Sequence, residues 1–76
     1  MAAYLGHPFY AIVDNHGSCR LDHRRRSYYR SEDRAIADAE RLTNDGSRVW
    51  VVECPDRATA IAALGNDRTL AQVWPV

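Results

Sequence analysis

The chain of 76 residues contains no lysine, and its ten strongly basic side chains are all arginines. Because a GC-rich gene produces the same bias, together with abundant alanine and aspartate, arginine content alone does not identify a ligand. Only two cysteines are present, Cys19 and Cys54, which are too few for a disulfide scaffold. We expect both thiols to be reduced and buried as small apolar side chains. A disulfide between them would require their strands to be neighbours and would not persist in a reducing compartment.

Long apolar segments are also absent. No run approaches the roughly 20 apolar residues that span a bilayer. The first residues, MAAYLGHPFY, lack the basic n-region and the long apolar h-region of a signal peptide. These two absences predict a cytoplasmic protein with no membrane partner.

The usual motifs of catalysis are missing. There is no phosphate-binding glycine loop, no nucleophile elbow and no His-Glu-x-x-His. The side chains of His7, His16, Cys19 and His23 could act as nucleophiles or bases, but no spacing brings them together. A small nuclease that uses His23 beside the following arginines is the least favoured of three functional hypotheses. We therefore predict no catalytic residues.

Two histidines and two cysteines have the composition of a zinc site but not its spacing. On a strand, Cys19 and His23 would share a face. His16 lies in a turn at an odd offset from them, and Cys54 is distant in the sequence, so no tetrahedral set of ligands follows. We expect no metal ion and no cofactor.

The apolar content is sufficient for one domain. It is 46%, which is ordinary for a globular protein. A chain of this length buries only about 60% of the surface that it exposes when unfolded, so a partner or a second subunit would add to its core. We predict a single compact domain over residues 1–76.

A strand and a tight turn open the fold. Residues 9–13, FYAIV, favour a β-strand, and Asp14-Asn15-His16-Gly17 favours a turn because Asn and Gly tolerate positive φ. A second strand returning through residues 18–22 would complete a hairpin. Residues 24–29 either continue that strand or form an exposed loop, and the pattern does not separate the two.

One amphipathic helix follows. Ser31 is a suitable N-cap, and the acidic residues after it favour the positive end of a helix dipole. We expect the helix to extend to about Leu42 and to end at Asn44-Asp45-Gly46. One side of it is apolar, through Ala35, Ile36, Ala39 and Leu42.

The remaining sequence predicts two strands around a short helix. Residues 49–54, VWVVEC, are apolar on both alternating faces, as in a central strand or a strand covering an interface. Asp56 can act as an N-cap, and residues 58–64 form a short alanine-rich turn or helix that Gly65 closes. Residues 68–74 alternate as a last strand, either in the same sheet or in that of a neighbouring subunit.

The predicted fold class is therefore α+β, with the order β-β-α-β-(α)-β. Four mostly antiparallel strands form one sheet, and the main helix, with the short second helix if it forms, lies on one face. The connection from the second strand through the main helix to the third is long enough for a parallel crossover, which would be right-handed.

Positive charge is concentrated in residues 20–30, RLDHRRRSYYR. This segment has five arginines and one aspartate, a net charge of +4, and the remainder of the chain carries −4. The segment can bind phosphates with stacked tyrosines, bind an acidic protein surface, or pair with acidic residues of the helix. The pI of about 6.8 favours protein over nucleic acid. The predicted partner-binding residues are Arg20, Arg24, Arg25, Arg26, Tyr28, Tyr29 and Arg30.

The aromatic residues exceed what one helix stripe can cover. Trp50, Val52 and Trp74 are therefore candidate contacts with a partner or a second copy in a homodimer. The favoured hypothesis is a non-enzymatic protein-binding module. Very small, arginine- and alanine-rich chains without motifs are often phage- or mobile-element-encoded inhibitors of host complexes, including CRISPR effectors, which makes an anti-CRISPR role a candidate. The alternative is a DNA- or RNA-binding domain that uses the basic segment.

Overall fold

A computed structural model describes residues 8–17 and 26–76 of the protein. Within them, three strands form one antiparallel sheet in the order β1-β2-β3, and two helices pack on it. The protein is thus a small α+β fold, as the sequence predicts. The elements in chain order are β1 (Phe9–Asp14), α1 (Glu32–Asn44), β2 (Val49–Cys54), α2 (Arg57–Ile61) and β3 (Ala71–Trp74).

Strand β2 is the centre of the sheet, which confirms one of the two interpretations of its apolar sequence. It pairs with the whole of β1, from Phe9 opposite Cys54 to Asp14 opposite Val49. Its pairing with β3 is shorter and irregular. Trp74 lies opposite Val51, and the register shifts at a bulge before the next pair.

The predicted hairpin is described only as far as its turn. The Gly17 N–H donates to the Asp14 carbonyl at 3.1 Å, and Gly17 has a φ of 84°, which favours glycine. Asp14 Oδ1 also accepts from the His16 N–H at 3.0 Å, which tightens the turn. The returning strand predicted over residues 18–22 lies outside the described residues, and so does the first part of its connection to the helix. No fourth strand is present in the described part of the chain.

Tyr29 contacts the outer edge of β1. Its backbone N–H donates to the Tyr10 carbonyl at 2.6 Å, and the Tyr10 N–H donates back to Tyr29 at 2.8 Å. This is a single antiparallel bridge, and residues 26–28 are not part of a strand. For the described end of residues 24–29, the loop alternative is therefore the better one.

Helix α1 begins and ends near its predicted limits. The Ser31 side chain accepts from the Arg34 N–H at 3.3 Å, as an N-cap does. Gly46, at a φ of 96°, follows the last turn and donates to the Thr43 carbonyl. The helix covers the sheet face that carries Tyr10 and Ile12. The buried side chains of this first cluster are Tyr10, Ile12, Tyr29, Ala35, Ala39, Val49 and Val51.

Helix α2 lies on the opposite face, so the prediction that both helices share one face is wrong. Ala60 and Ala63 pack with the side chains that alternate away from α1. The reason is in the strands themselves, because both faces of β1 and β2 are apolar and each requires a cover. The buried side chains of this second cluster are Ala11, Val13, Val52, Cys54, Ala60 and Ala63.

The last strand is shorter than predicted. Residues 68–70 form a turn, and the Asp67 carboxylate accepts from both the N–H and the hydroxyl of Thr69, at 2.9 and 2.6 Å. A local side-chain hydrogen bond of this kind competes with pairing in a sheet. Because β3 pairs with β2 of its own chain, no neighbouring subunit is needed to place it.

Candidate functional site

The described end of the basic segment forms a small cluster of aromatic and guanidinium groups. The rings of Tyr28 and Phe9 meet edge to face, with centroids 5.4 Å apart and planes at 84°. The Arg26 guanidinium carbon lies 5.8 Å from the Tyr28 centroid, and that of Arg30 lies 5.9 Å from the Phe9 centroid. Cation–π contacts at such distances contribute about 0.5–1 kcal/mol at exposed sites. Arg20, Arg24 and Arg25 lie outside the described residues.

Tyr29 is a core residue, which corrects its prediction as a partner contact. Its side chain is 4% exposed and belongs to the cluster beneath α1. Its hydroxyl donates to Asp38 Oδ2 at 2.8 Å, and Asp38 Oδ1 accepts from Arg41 at 3.0 Å. The tyrosine therefore anchors the segment before α1 to the helix, and its side chain is not available to a partner.

Val52 is also unavailable, because it is 2% exposed between β1 and β3. Trp50 and Trp74 are half-buried and line an open concavity of about 510 Å³. We name this concavity the tryptophan groove. Its full lining is Asn15, Thr43, Ser47, Arg48, Val49, Trp50, Gln72, Trp74 and Pro75.

The sequence interpretation missed a second exposed apolar surface, on the outer side of α2. Ile61 and Leu64 are 51% and 48% exposed, and Ala58 and Ala62 beside them are exposed as well. We name these four residues the α2 patch. The sequence does contain a pattern that indicates it, since residues 58–66, ATAIAALGN, include no charged side chain. An uncharged stretch of this kind is usually buried, so its exposure on the outside of the fold is informative.

The polar groups with shifted pKa values are structural. Hydrogen bonds from the N–H and the side chain of Thr59 lower the pKa of Asp56, the N-cap of α2. Hydrogen bonds from Thr69 lower the pKa of Asp67 in the same way. Both carboxylates hold turns at the surface. Asp67 lines a shallow concavity beside Arg68, and none of the other residues that line it is a carboxylate or a histidine that could share a proton.

Two of the four candidate metal ligands, His16 and Cys54, lie within the described residues, and they do not form a metal site. His16 is exposed in the turn after β1, and Cys54 is fully buried in the second cluster. Residues 8–17 and 26–76 contain no group of three or more His, Cys, Asp or Glu side chains that could hold a metal ion. Cys19 and His23 lie outside the described residues.

Comparison with other proteins adds no identity. No family model, curated protein or solved structure matches the chain. Neither described helix is of a length and apolarity that would cross a membrane. Function must therefore be argued from the surfaces of the molecule itself.

Proposed function

We propose that the protein is a non-enzymatic protein-binding module and that the α2 patch is its main contact surface. The observation that carries the proposal is the half exposure of Ile61, the last residue of α2, and of Leu64, in the segment that follows the helix. In a chain with 26% charged residues, an uncharged stretch over residues 58–66 on the outside of the fold is unusual.

The energetic reason is the apolar area that remains in water. Complete burial of a Leu or Ile side chain contributes about 1.5–3 kcal/mol. Covering the exposed halves of Ile61 and Leu64 would therefore contribute on the order of 1 kcal/mol each. The inner side of α2 is already packed through Ala60 and Ala63, so a partner can cover the outer side without disturbing the fold.

The shape of the patch indicates the kind of partner. Ala58 and Ile61 lie three residues apart on α2, and Leu64 follows at the same spacing after the helix. Apolar side chains at this spacing can form a ridge that fits an apolar groove on another protein. The narrowest form of the proposal is an inhibitor of a host complex, encoded by a phage or a mobile element. Support for that form comes only from the size and composition of the chain.

Nucleic-acid binding is the second candidate, and the cluster of Arg26, Tyr28 and Arg30 favours it. Guanidinium groups bind phosphates, and an exposed aromatic ring can stack on a base. In this cluster, however, the Tyr28 ring already contacts Phe9 and Arg26. Base stacking would have to displace these contacts, so protein binding remains the proposal.

The test compares two matched double variants. One carries Ile61→Ser and Leu64→Ser in the α2 patch, and the control carries Ala37→Ser and Val76→Ser, which replace exposed apolar residues elsewhere. Wild type and both variants are used as baits in nuclease-treated lysate of the source cells, and the captured proteins are quantified by mass spectrometry. We expect a defined protein that wild type and the control capture equally and the patch variant loses.

Two results would contradict the proposal. A captured protein that the patch variant retains in full would exclude the α2 patch as the contact surface. Enrichment of DNA or RNA in place of protein, in lysate without nuclease, would favour the second candidate. Both variants should unfold within about 0.5 kcal/mol of wild type, because exposed substitutions rarely change stability by more.

A further inference from the structure

The tryptophan groove exists because β3 is shorter than β2. Trp74, opposite Val51, is the last residue of β3 to pair with the central strand, and Pro75 follows it directly. Proline has no N–H to donate, so the ladder cannot continue there. The beginning of β2, at Val49 and Trp50, therefore extends past the end of its neighbour.

The backbone of Val49 faces the groove. The backbone N–H and C=O groups of Tyr10 both bond to Tyr29 and therefore point away from β2. Because these groups alternate in direction along a strand, those of Ile12 and Asp14 also point away from β2. Val51 and Val49 lie opposite Ile12 and Asp14, so they form no backbone hydrogen bonds with β1. Their N–H and C=O groups point to the other side of β2, where β3 lies. Val51 meets Trp74, whereas no strand of residues 8–17 and 26–76 lies beside Val49 on that side.

The side chains around this edge have a defined chemistry. The indole of Trp74 packs with the cluster under α1 and that of Trp50 with the cluster under α2, so the two form apolar walls on opposite faces of the sheet edge. Aromatic rings of this kind are the residues that dominate peptide and protein contacts. Arg48 is exposed and is the only charged residue among those that line the groove. It forms no ion pair with a carboxylate of the described residues.

We propose that the tryptophan groove binds an extended peptide segment of a partner protein, with an apolar side chain close to a carboxylate. The segment adds to the edge of β2 at Val49, in the manner of β-strand addition. Its apolar side chain packs on the indole of Trp74, and the neighbouring carboxylate, which points to the other face, pairs with Arg48 beside Trp50. The groove and the α2 patch share no residue, so this proposal does not depend on the one above.

A blocked pentapeptide, acetyl-Val-Asp-Leu-Asp-Val-amide, is a suitable probe. The chain has two tryptophans in all, so ¹⁵N-labelled protein gives two indole N–H signals, and both belong to residues that line the groove. We expect saturable shifts of both indole signals and of the Val49 amide. Replacing both aspartates of the peptide by asparagine, or Arg48→Gln in the protein, should weaken binding about two- to five-fold, as for an exposed ion pair.

Strand addition is tested by N-methylation of the peptide at leucine or at the aspartate that follows it. Neighbouring N–H groups of an extended peptide point to opposite edges, so one methylation should abolish binding and the other should be tolerated. The proposal is overturned if both methylated peptides bind equally well, if the asparagine peptide binds as tightly, or if the indole signals do not move. The Ile61→Ser, Leu64→Ser variant should bind the peptide normally, which separates this test from that of the α2 patch.

Discussion

At the scale of single residues, Gly65 is the glycine of the described residues that has the least space for a side chain. The loop after α2 crosses the end of β1 there, and a Cβ on Gly65 would overlap the carbonyl oxygen of Asp14. It would also lie 3.3 Å from Cζ2 of Trp50. Glycine is therefore required by the close approach of two backbones, although no turn geometry demands it.

We predict that Gly65→Ala destabilises the protein by about 1–3 kcal/mol or more, the usual cost of forced overpacking. Urea unfolding of the variant and of wild type measures the difference. Gly46→Asn is the control, because a side chain at Gly46 meets open space and only the positive φ of 96° opposes it. Asn is among the residues that adopt such a φ most readily, so this variant should lose less stability than Gly65→Ala. Equal unfolding midpoints for Gly65→Ala and wild type would show that the loop is not held against β1.

At the scale of elements, the two helices depend on their N-caps. We predict that Ser31→Ala costs about 0.5–2 kcal/mol, since it leaves the Arg34 N–H without its side-chain acceptor at the start of α1. Ser31→Thr keeps the hydroxyl and should stay close to wild type. Thermal unfolding measures both variants. If alanine and threonine gave the same melting temperature, the cap would not contribute.

The cap of α2 should make stability depend on pH. Asp56 accepts from the Thr59 N–H at 2.7 Å, which holds the pKa of the carboxyl below its usual value in the folded protein. Between the lowered pKa and the ordinary value of about 3.9, the unfolded chain binds more protons, so the contribution is present above about pH 4 and is lost as the pH falls.

An asparagine at this position caps a helix without titrating. We therefore predict that the stability difference between wild type and Asp56→Asn favours wild type at neutral pH and shrinks below about pH 4. The shift at Asp67 is common to both proteins and cancels in the difference. A difference that stays constant from neutral to acidic pH would contradict the role of the charged cap.

The elements that the sequence predicted well are those with local determinants. The cap at Ser31 and the apolar spacing of α1 are properties of neighbouring residues, and so are the continuous apolar runs that form β1 and β2. The face on which α2 packs is not local, since it depends on which side of the sheet α1 has already covered. The two polar residues of α2, Arg57 and Thr59, are two positions apart and therefore lie on different sides of the helix, so they do not show its orientation.

The candidate site was predicted only in part, for the same reason. Trp50 and Trp74 were identified as contacts by residue type, and the groove that they line requires the early end of β3. Tyr29 and Val52 were selected by the same rule, but tertiary packing buries them. The α2 patch follows from the uncharged residues 58–66, once it is clear that α2 has one buried side and one exposed side.

At the scale of the whole molecule, the surface expected to drive self-association is the α2 patch and not the aromatic surplus. The surplus of aromatic residues over the stripe of α1 suggested a dimer, but Phe9, Tyr28 and Trp50 pack on the second cluster, around α2. The apolar surface that still needs a cover is the α2 patch. It carries no charge that would repel a second copy.

We therefore predict a weak dimer that forms through the α2 patch when no partner is present. Sedimentation velocity over a wide concentration range should show association of wild type and of the Ala37→Ser, Val76→Ser control. The Ile61→Ser, Leu64→Ser variant should remain monomeric. A wild-type monomer at the highest concentration, or a dimer that the patch variant retains, would contradict the prediction.

The central position of β2 also sets the rates at which amide hydrogens exchange with solvent. Val51 and Val52 have a strand on either side and a packed cluster over each face, so their amides should exchange only when the whole protein unfolds. The Val49 amide faces the tryptophan groove and should exchange much faster. One strand would then contain both the slowest protons of the fold and a fast one two residues away, and a peptide bound in the groove would slow the fast one.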